Sequence, residues 1–122
     1  DYVELLKIRP IFEEIIKEGR KFGTFLTISS QRPSDISETI ISQLHNYFIH
    51  RLVNNEDIRA IGKAVAFIDN TSYEMISVLP QGACIFTGVA SNFPVLVQVD
   101  LLPKQQQPQS STINLTELWK EP

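Results

Sequence analysis

Two short polar segments hold the residues whose types and spacing suggest chemistry. The first ends an amphipathic stretch with the cations Arg20 and Lys21, and the second places Gln31 directly after an apolar run. An amide at the carboxyl end of a buried strand stands where open α/β sheets bind ligands, and it can hydrogen-bond a phosphate oxygen. An arginine at a helix end can stabilise the charge that develops on a phosphoryl group during transfer.

Each of these residues also has an ordinary structural interpretation. Arg20 and Lys21 fall at the carboxyl end of the stretch, where cations complement the helix dipole and stay solvated. Gln31 can simply cap the loop that follows the apolar run, and Arg32 with Pro33 can form a generic turn. Composition and spacing alone favour these structural roles, so a functional assignment needs a further argument.

Other kinds of chemistry find little support in the chain. The Gly62-Lys63 pair lacks the upstream glycine and the following Ser or Thr of a phosphate-binding loop. His45 and His50 have no set of Cys or carboxylate residues around them at metal-ligand spacing. The single cysteine, Cys84, rules out a disulfide framework and is expected to be a small, buried apolar side chain.

Length and charge limit the class of protein. The chain has 122 residues and a formal net charge of −3, which fits one domain and argues against a free-standing electrostatic DNA binder. It lacks an apolar run near the roughly 18 residues that cross a bilayer. One cysteine and no visible signal peptide predict a cytoplasmic protein. Because the sequence starts at Asp1 without a methionine, we expect a piece of a longer protein.

The elements that must position these residues alternate along the chain. Helices are predicted by apolar spacing near 3.6 residues and by capping residues, and strands by short runs of β-branched and aromatic residues. In chain order the pattern predicts a helix over about 10–22, a strand over 24–29, a helix over 37–44, a strand over 46–52, helices over 54–61 and 71–79, and strands over 83–87 and 94–99.

This alternation predicts an α/β fold with a mostly parallel sheet and an antiparallel C-terminal hairpin. The strand over 24–29 is nearly all apolar or Thr, so it is expected to be buried on both faces. Phe25, Phe48 and Phe86 are expected to lie in the core. Residues 1–103 form the predicted domain, and the Gln, Pro and Ser residues that dominate after Lys104 predict a linker and tail over 104–122.

Several motifs together resemble one known family. They are EGRKFG before the first strand, SQRPS after it, IISQ, RLVN, and LPQGACIFTG toward the C-terminus, at residues 18–23, 30–34, 40–43, 51–54 and 79–88. This set is similar to the C-terminal half of the RecA-like motor domain of the HerA/FtsK superfamily, and most similar to its HerA-like branch. The first two motifs at this separation are fairly specific, and the resemblance covers about residues 11–101.

The resemblance implies roles for individual residues. Arg20 is similar to an arginine finger that acts in trans, and Gln31 to a sensor of the γ-phosphate. Arg32, Ser34 and Asp35 match a loop that faces the central pore or the DNA. The family implies a P-loop NTPase fold, with ATP and Mg²⁺ as cofactors and DNA as the substrate. It also implies a hexameric ring that does not associate with a membrane, and a nuclease as a partner.

The chain also departs from the family. The resemblance places the phosphate-binding loop and the acidic Walker B strand before Asp1, and neither motif stands in this sequence. We therefore expect the parent protein to be an ATP-driven DNA translocase or helicase, and the chain alone to be inactive. The alternative is a non-catalytic α/β interaction module. A third reading is a fragment that self-associates through surfaces that the missing half would cover.

Overall fold

A computed structural model describes residues 2–107, with the side chains of residues 10–107 except Asn92. The helices are α1 (Tyr2–Glu18), α2 (Glu38–Gln43), α3 (Asn55–Ala64) and α4 (Asn70–Met75), and the strands are β1 (Asn46–His50), β2 (Ala83–Gly88) and β3 (Ser91–Gln98). Short 3₁₀ helices span Gly19–Phe22, Pro33–Asp35, Ile76–Val78 and Lys104–Gln106. Most of the predicted tail, residues 108–122, lies outside the described residues.

The first helix is longer than its predicted counterpart. Pro10 lies inside α1 and not in its first turn, because the apolar residues before it are helical as well. An internal proline removes one backbone hydrogen bond, and the helix continues past it. The stop at Gly23 is confirmed: this glycine has a left-handed φ of 69° and ends the 3₁₀ turn that follows α1.

The sheet has three strands in the order β1-β2-β3, and both pairings are antiparallel. The predicted hairpin of β2 and β3 is confirmed, because two residues connect the strands and that length permits only an antiparallel pair. The prediction of a mostly parallel sheet is wrong for the described residues. The helices α3 and α4 lead from β1 to an antiparallel neighbour instead of a parallel one.

The strand predicted over 24–29 is also absent from the sheet. These residues form no regular element, and they pair with none of the described strands. A segment becomes a strand only when a neighbour satisfies its backbone donors and acceptors. The described sheet ends at β1, and an open cleft lined by both β1 and this segment lies between them.

The core lies between one face of the sheet and the helices. Tyr47, Ile49 and Ile85 point from the sheet toward Ile61 of α3 and Ile76, and all five side chains are buried. Because side chains alternate across a strand, the intervening residues of β1 and β2 point to the other face. The described helices therefore cover one side of the sheet, while Cys84 on the other side is also buried.

The aromatic residues expected in the core lie mostly outside it. Phe25 is 82% exposed and Phe48 is 67% exposed, while Phe86 is half-buried. Phe48 and Phe86 occupy the sheet face that no described helix covers, and Phe25 lies on the unpaired segment over 24–29. Cys84 is fully buried as expected, and burial raises the pKa of its thiol. Among residues 2–107, none of the helices has the length and apolar character to cross a membrane.

Candidate functional site

Arg20 projects from a tightly fixed turn at the end of α1. The backbone N–H of Thr24 donates to the Gly19 carbonyl at 2.9 Å, and the N–H of Gly23 donates to the Arg20 carbonyl at 3.2 Å. Gly19 is buried, and a Cβ there would lie 3.0 Å from the Thr24 carbonyl oxygen. The backbone of the turn is therefore closely packed, while the Arg20 side chain is exposed.

The two cations of this turn differ in their partners. The Nζ of Lys21 lies 2.6 Å from an oxygen of Glu18, one turn earlier on the same surface. Among the described side chains, Arg20 has no carboxylate within 4.0 Å. The five N–H donors of the Arg20 guanidinium are therefore not engaged by a carboxylate of this part of the chain.

Gln31 lies in the loop that joins residues 24–29 to the 3₁₀ helix Pro33–Asp35. The loop is folded on itself, since the backbone N–H of Arg32 donates to the Ser30 hydroxyl oxygen at 3.0 Å. Gln31 stands between these two residues with its side chain exposed. Its amide can therefore both donate and accept hydrogen bonds, as a phosphate or a water molecule requires.

The other residues of the predicted pore loop have two different environments. Arg32 and Asp35 are exposed, and the Arg32 Nε lies 3.6 Å from an Asp35 carboxylate oxygen. Ser34 is half-buried, and its backbone N–H donates to Oδ1 of Asp57 at 3.0 Å. Arg32 and Asp35 are accessible to a ligand, whereas Ser34 faces α3.

Asp57 is a residue of this region that the sequence pattern did not single out. Its position in the first turn of α3 suits the helix dipole. The structure buries it to 4% exposure against the loop. The hydroxyl and N–H of Ser34 hold the pKa of the Asp57 carboxyl below its ordinary value, and Arg32 lowers this pKa further. Since 23 residues separate Ser34 from Asp57, spacing gave no signal of this contact.

Arg20 and Gln31 line the same cleft. The cleft has a volume of about 1180 Å³ and lies between residues 24–31 and the outer edge of β1. Ile15, Ile28 and Ile49 contribute apolar side chains to its wall. The described part of the chain thus brings both predicted phosphate-contacting residues to one concave surface.

The described side chains do not assemble a site for Mg²⁺. No group of three or more His, Cys, Asp and Glu side chains within residues 10–107 is arranged to hold a metal ion. Mg²⁺ requires oxygen ligands in near-octahedral geometry. The carboxylates nearest to Gln31 are those of Asp35, paired with Arg32, and Asp57, bonded to Ser34, so these residues do not fit the metal.

Comparison with known proteins gives a consistent set of relatives. The DNA double-strand break repair helicase HerA of Pyrococcus furiosus is 37% identical over 89 residues, which are 73% of this chain and 16% of the relative. The protein of the same name from Sulfurisphaera tokodaii is 34% identical over 107 residues, 88% of this chain and 21% of the relative. A probable helicase of Methanocaldococcus jannaschii is 30% identical over 107 residues, 88% of this chain and 20% of the relative.

The matched region is a small part of each relative. The chain spans about a fifth or less of the length of these curated proteins. No family model matches the chain. The similarity therefore covers most of this sequence, and it leaves about four-fifths of each relative unmatched.

Proposed function

This chain is a HerA-like sequence, and we propose that it is part of the motor of an ATP-driven DNA translocase or helicase. In this proposal the chain supplies two residues to ATP hydrolysis, Arg20 and Gln31. The observation that carries the proposal is that the Arg20 side chain is exposed on a hydrogen-bonded turn and lacks a carboxylate partner among the described residues.

Arg20 acts as an arginine finger across a subunit boundary. Its guanidinium stabilises the negative charge that develops on the transferring phosphoryl group of ATP bound to a neighbouring subunit. The closely packed turn from Gly19 to Thr24 supports this role, because a fixed backbone lowers the entropic cost of placing the side chain. Lys21 is less suited, since its ammonium is already paired with Glu18.

Gln31 acts as the sensor of the γ-phosphate. Its neutral amide donates to a phosphate oxygen when ATP is present and to water once the phosphate has left. The loop bond between Arg32 and Ser30 supports this role because it restricts the backbone on both sides of Gln31. Arg32 and Asp35 on the same loop are candidates for contact with DNA.

ATP is the substrate in this proposal, and Mg²⁺ accompanies it. The phosphate-binding loop, the acidic strand and the metal ligands belong to a part of the protein outside this chain. The chain by itself is then expected to be inactive.

The unpaired backbone on both sides of the cleft supports a RecA-like sheet in the longer protein. Residues 24–29 pair with no described strand, and the outer edge of β1 is also unpaired in the described chain. A strand contributed by another part of the protein would find unpaired backbone donors and acceptors on both sides of the cleft. Such a strand would turn residues 24–29 into the strand that their sequence predicts.

The resemblance to the family is the basis for proposing DNA as the substrate, a hexameric ring and a nuclease partner. Relatives of this chain are named as DNA double-strand break repair helicases. The net charge of −3 gives this chain little attraction for the DNA backbone, so the cationic contacts would come mainly from other parts of the ring.

Steady-state ATP hydrolysis by the full-length protein, with and without DNA, tests the proposal. Arg20→Ala should lower kcat by about 10³-fold, since arginine fingers contribute on that scale. Lys21→Ala is the matched control, because it removes a neighbouring cation from the same turn. The proposal fails if Arg20→Ala hydrolyses ATP as fast as Lys21→Ala, and a non-catalytic interaction module becomes the better reading.

A further inference from the structure

We propose that Asp57 is a positioning residue that fixes the loop carrying Gln31 and Arg32 to the start of α3. The proposal rests on the sensor role proposed above for Gln31 and assigns the group that holds the sensor in place. Asp57 does not contact the substrate in this scheme. It acts through Ser34, three residues after Gln31.

Burial is the first argument. Asp57 is 4% exposed, and it is the buried charged residue among the side chains that the structure describes. A carboxylate buried without partners is strongly unfavourable, so its position requires hydrogen bonds. The contact that satisfies it is the Ser34 N–H, which donates to Oδ1 at 3.0 Å.

The start of α3 does not need Asp57 as its cap. The side chain of Asn54 accepts a hydrogen bond from the Glu56 N–H at 2.8 Å and occupies the N-cap position. The carboxylate of Asp57 is therefore free to turn away from its own helix. It bonds instead to a loop 23 residues earlier in the chain.

Two hydrogen bonds order the loop, one within it and one to α3. Ser30 accepts from the Arg32 N–H near its beginning, and Asp57 accepts from the Ser34 N–H near its end. The Ser34 hydroxyl oxygen is buried without a partner of good hydrogen-bond geometry, and its hydroxyl faces the same carboxylate. Gln31 lies inside the turn that the Arg32–Ser30 bond closes, and the Asp57 bond fixes that turn to α3, so loss of the Asp57 bond lets the turn move relative to α3.

The charges around Asp57 favour its ionised form. Arg32 lies close enough to attract the carboxylate, although its own ion pair is with Asp35. The positive end of α3 acts in the same direction. An ionised carboxylate makes a stronger hydrogen bond than a neutral acceptor, which makes Asn an informative replacement.

The experiment compares Asp57→Ala, Asp57→Asn and Asp69→Ala in the full-length protein. Asp69 is the matched control, since its carboxylate accepts from the Ser72 N–H at 3.0 Å at the start of α4, outside the cleft. The measurements are hydrogen exchange at the Ser34 amide, the thermal midpoint, and kcat and KM for ATP.

We expect Asp57→Ala to raise the exchange rate at Ser34 by about tenfold or more and Asp57→Asn to raise it less. Asp57→Ala should have a kcat about tenfold below that of Asp69→Ala, with a similar thermal midpoint and a smaller change in KM. Partial rescue by Asp57→Asn supports positioning, because Asn keeps the volume and one acceptor oxygen.

Two results overturn the proposal. If exchange at Ser34 in both Asp57 variants equals that of the wild type, the carboxylate does not anchor the loop. If exchange rises but kcat equals that of Asp69→Ala, the anchor does not position the sensor. A wild-type protein without ATP hydrolysis refutes the proposed function instead, and exchange at Ser34 then still decides whether Asp57 anchors the loop. Should Asp57→Ala not fold, Asp57→Asn carries both measurements.

Discussion

The rings of Phe48 on β1 and Phe86 on β2 stack across the strand pair with their centroids 4.6 Å apart and their planes tilted by 32°. Val95 of β3 continues the row, because Phe86 is in register with both Phe48 and Val95. No described helix covers this face, and Phe48 and Val95 are exposed. Contiguous apolar surface of this kind is typical of a contact with another part of a protein or with a partner.

The first prediction is that the isolated chain self-associates through this face. Phe48→Ser should lower the average mass measured by light scattering at increasing protein concentration, because it removes the most exposed ring of the row. Phe67→Ser is the control, since Phe67 is also exposed but lies outside the sheet. A chain that stays monomeric at all concentrations, or an equal effect of both substitutions, would contradict the prediction.

The sequence predicted local structure well where local chemistry determines it. The α2 helix after its Ser37 cap, the α3 helix after its Asn54 cap and the β2–β3 hairpin were all predictable, since each depends on neighbouring residues. The prediction of a strand over 24–29 was wrong, because pairing depends on a neighbouring strand that the described chain does not supply. The prediction that Phe48 lies in the core was wrong for a related reason. Side chains alternate along β1, which places Phe48 on a sheet face that no described helix covers.

The candidate site could likewise be predicted only in part from the sequence. The sequence pattern and the family resemblance identified Arg20 and Gln31, and the structure adds that both line one cleft. The contact between Ser34 and Asp57 could not be predicted, because it joins residues 23 positions apart through a backbone donor. Any residue type but proline supplies that donor, so the sequence of the loop does not reveal it.

The second prediction concerns the hydroxyl of Tyr47. This hydroxyl donates toward two carbonyls at the end of α2, those of Ile41 at 2.7 Å and Leu44 at 2.8 Å. The Ile41 carbonyl also accepts from the Leu44 N–H at 3.2 Å, so Tyr47→Phe removes a side-chain partner mainly from the Leu44 carbonyl at the helix end. We expect it to lower the free energy of unfolding by about 1–3 kcal/mol, measured by urea denaturation.

Tyr73→Phe is the matched control for Tyr47→Phe. The Tyr73 ring packs against Gly62 of α3, where a Cβ would lie 2.6 Å from the ring. Its hydroxyl makes no hydrogen bond to the described part of the chain, so the substitution should have little effect. Equal losses of stability in the two variants would show that the bonds to Ile41 and Leu44 do not contribute.

The third prediction is a pH dependence of stability from Asp57. Its carboxyl has a pKa below the ordinary value of 3.8 in the folded chain, mainly because Ser34 bonds to the ionised form. A lowered folded pKa means that the unfolded chain binds protons first, so the stabilisation is complete above about pH 5 and is lost as pH falls below 3.8. The stability difference between the wild type and Asp57→Asn should shrink over this range.

Urea denaturation of both proteins from about pH 6 down to about pH 3 measures this difference. Asp69→Asn serves as a comparison, because Ser72 lowers the pKa of the Asp69 carboxyl in the same way and should produce a loss of the same sign. A difference between wild type and Asp57→Asn that is constant, or that grows as pH falls, would contradict the assignment of an ionised Asp57.

The last prediction separates action in trans from action in cis. If each ATP site takes Gln31 from one subunit and Arg20 from the next, an Arg20→Ala subunit still offers Gln31, and a Gln31→Ala subunit still offers Arg20. Full-length variants mixed in equal amounts before ring assembly should then regain intact sites at about one-quarter of the head-to-tail interfaces. DNA-stimulated ATP hydrolysis of the mixture should exceed that of either variant alone.

Subunits carrying both substitutions, mixed with either single variant, form no intact site and provide the control. If the mixture of single variants is as inactive as this control, both residues serve the same subunit, and the assignment of Arg20 as a finger for its neighbour is wrong.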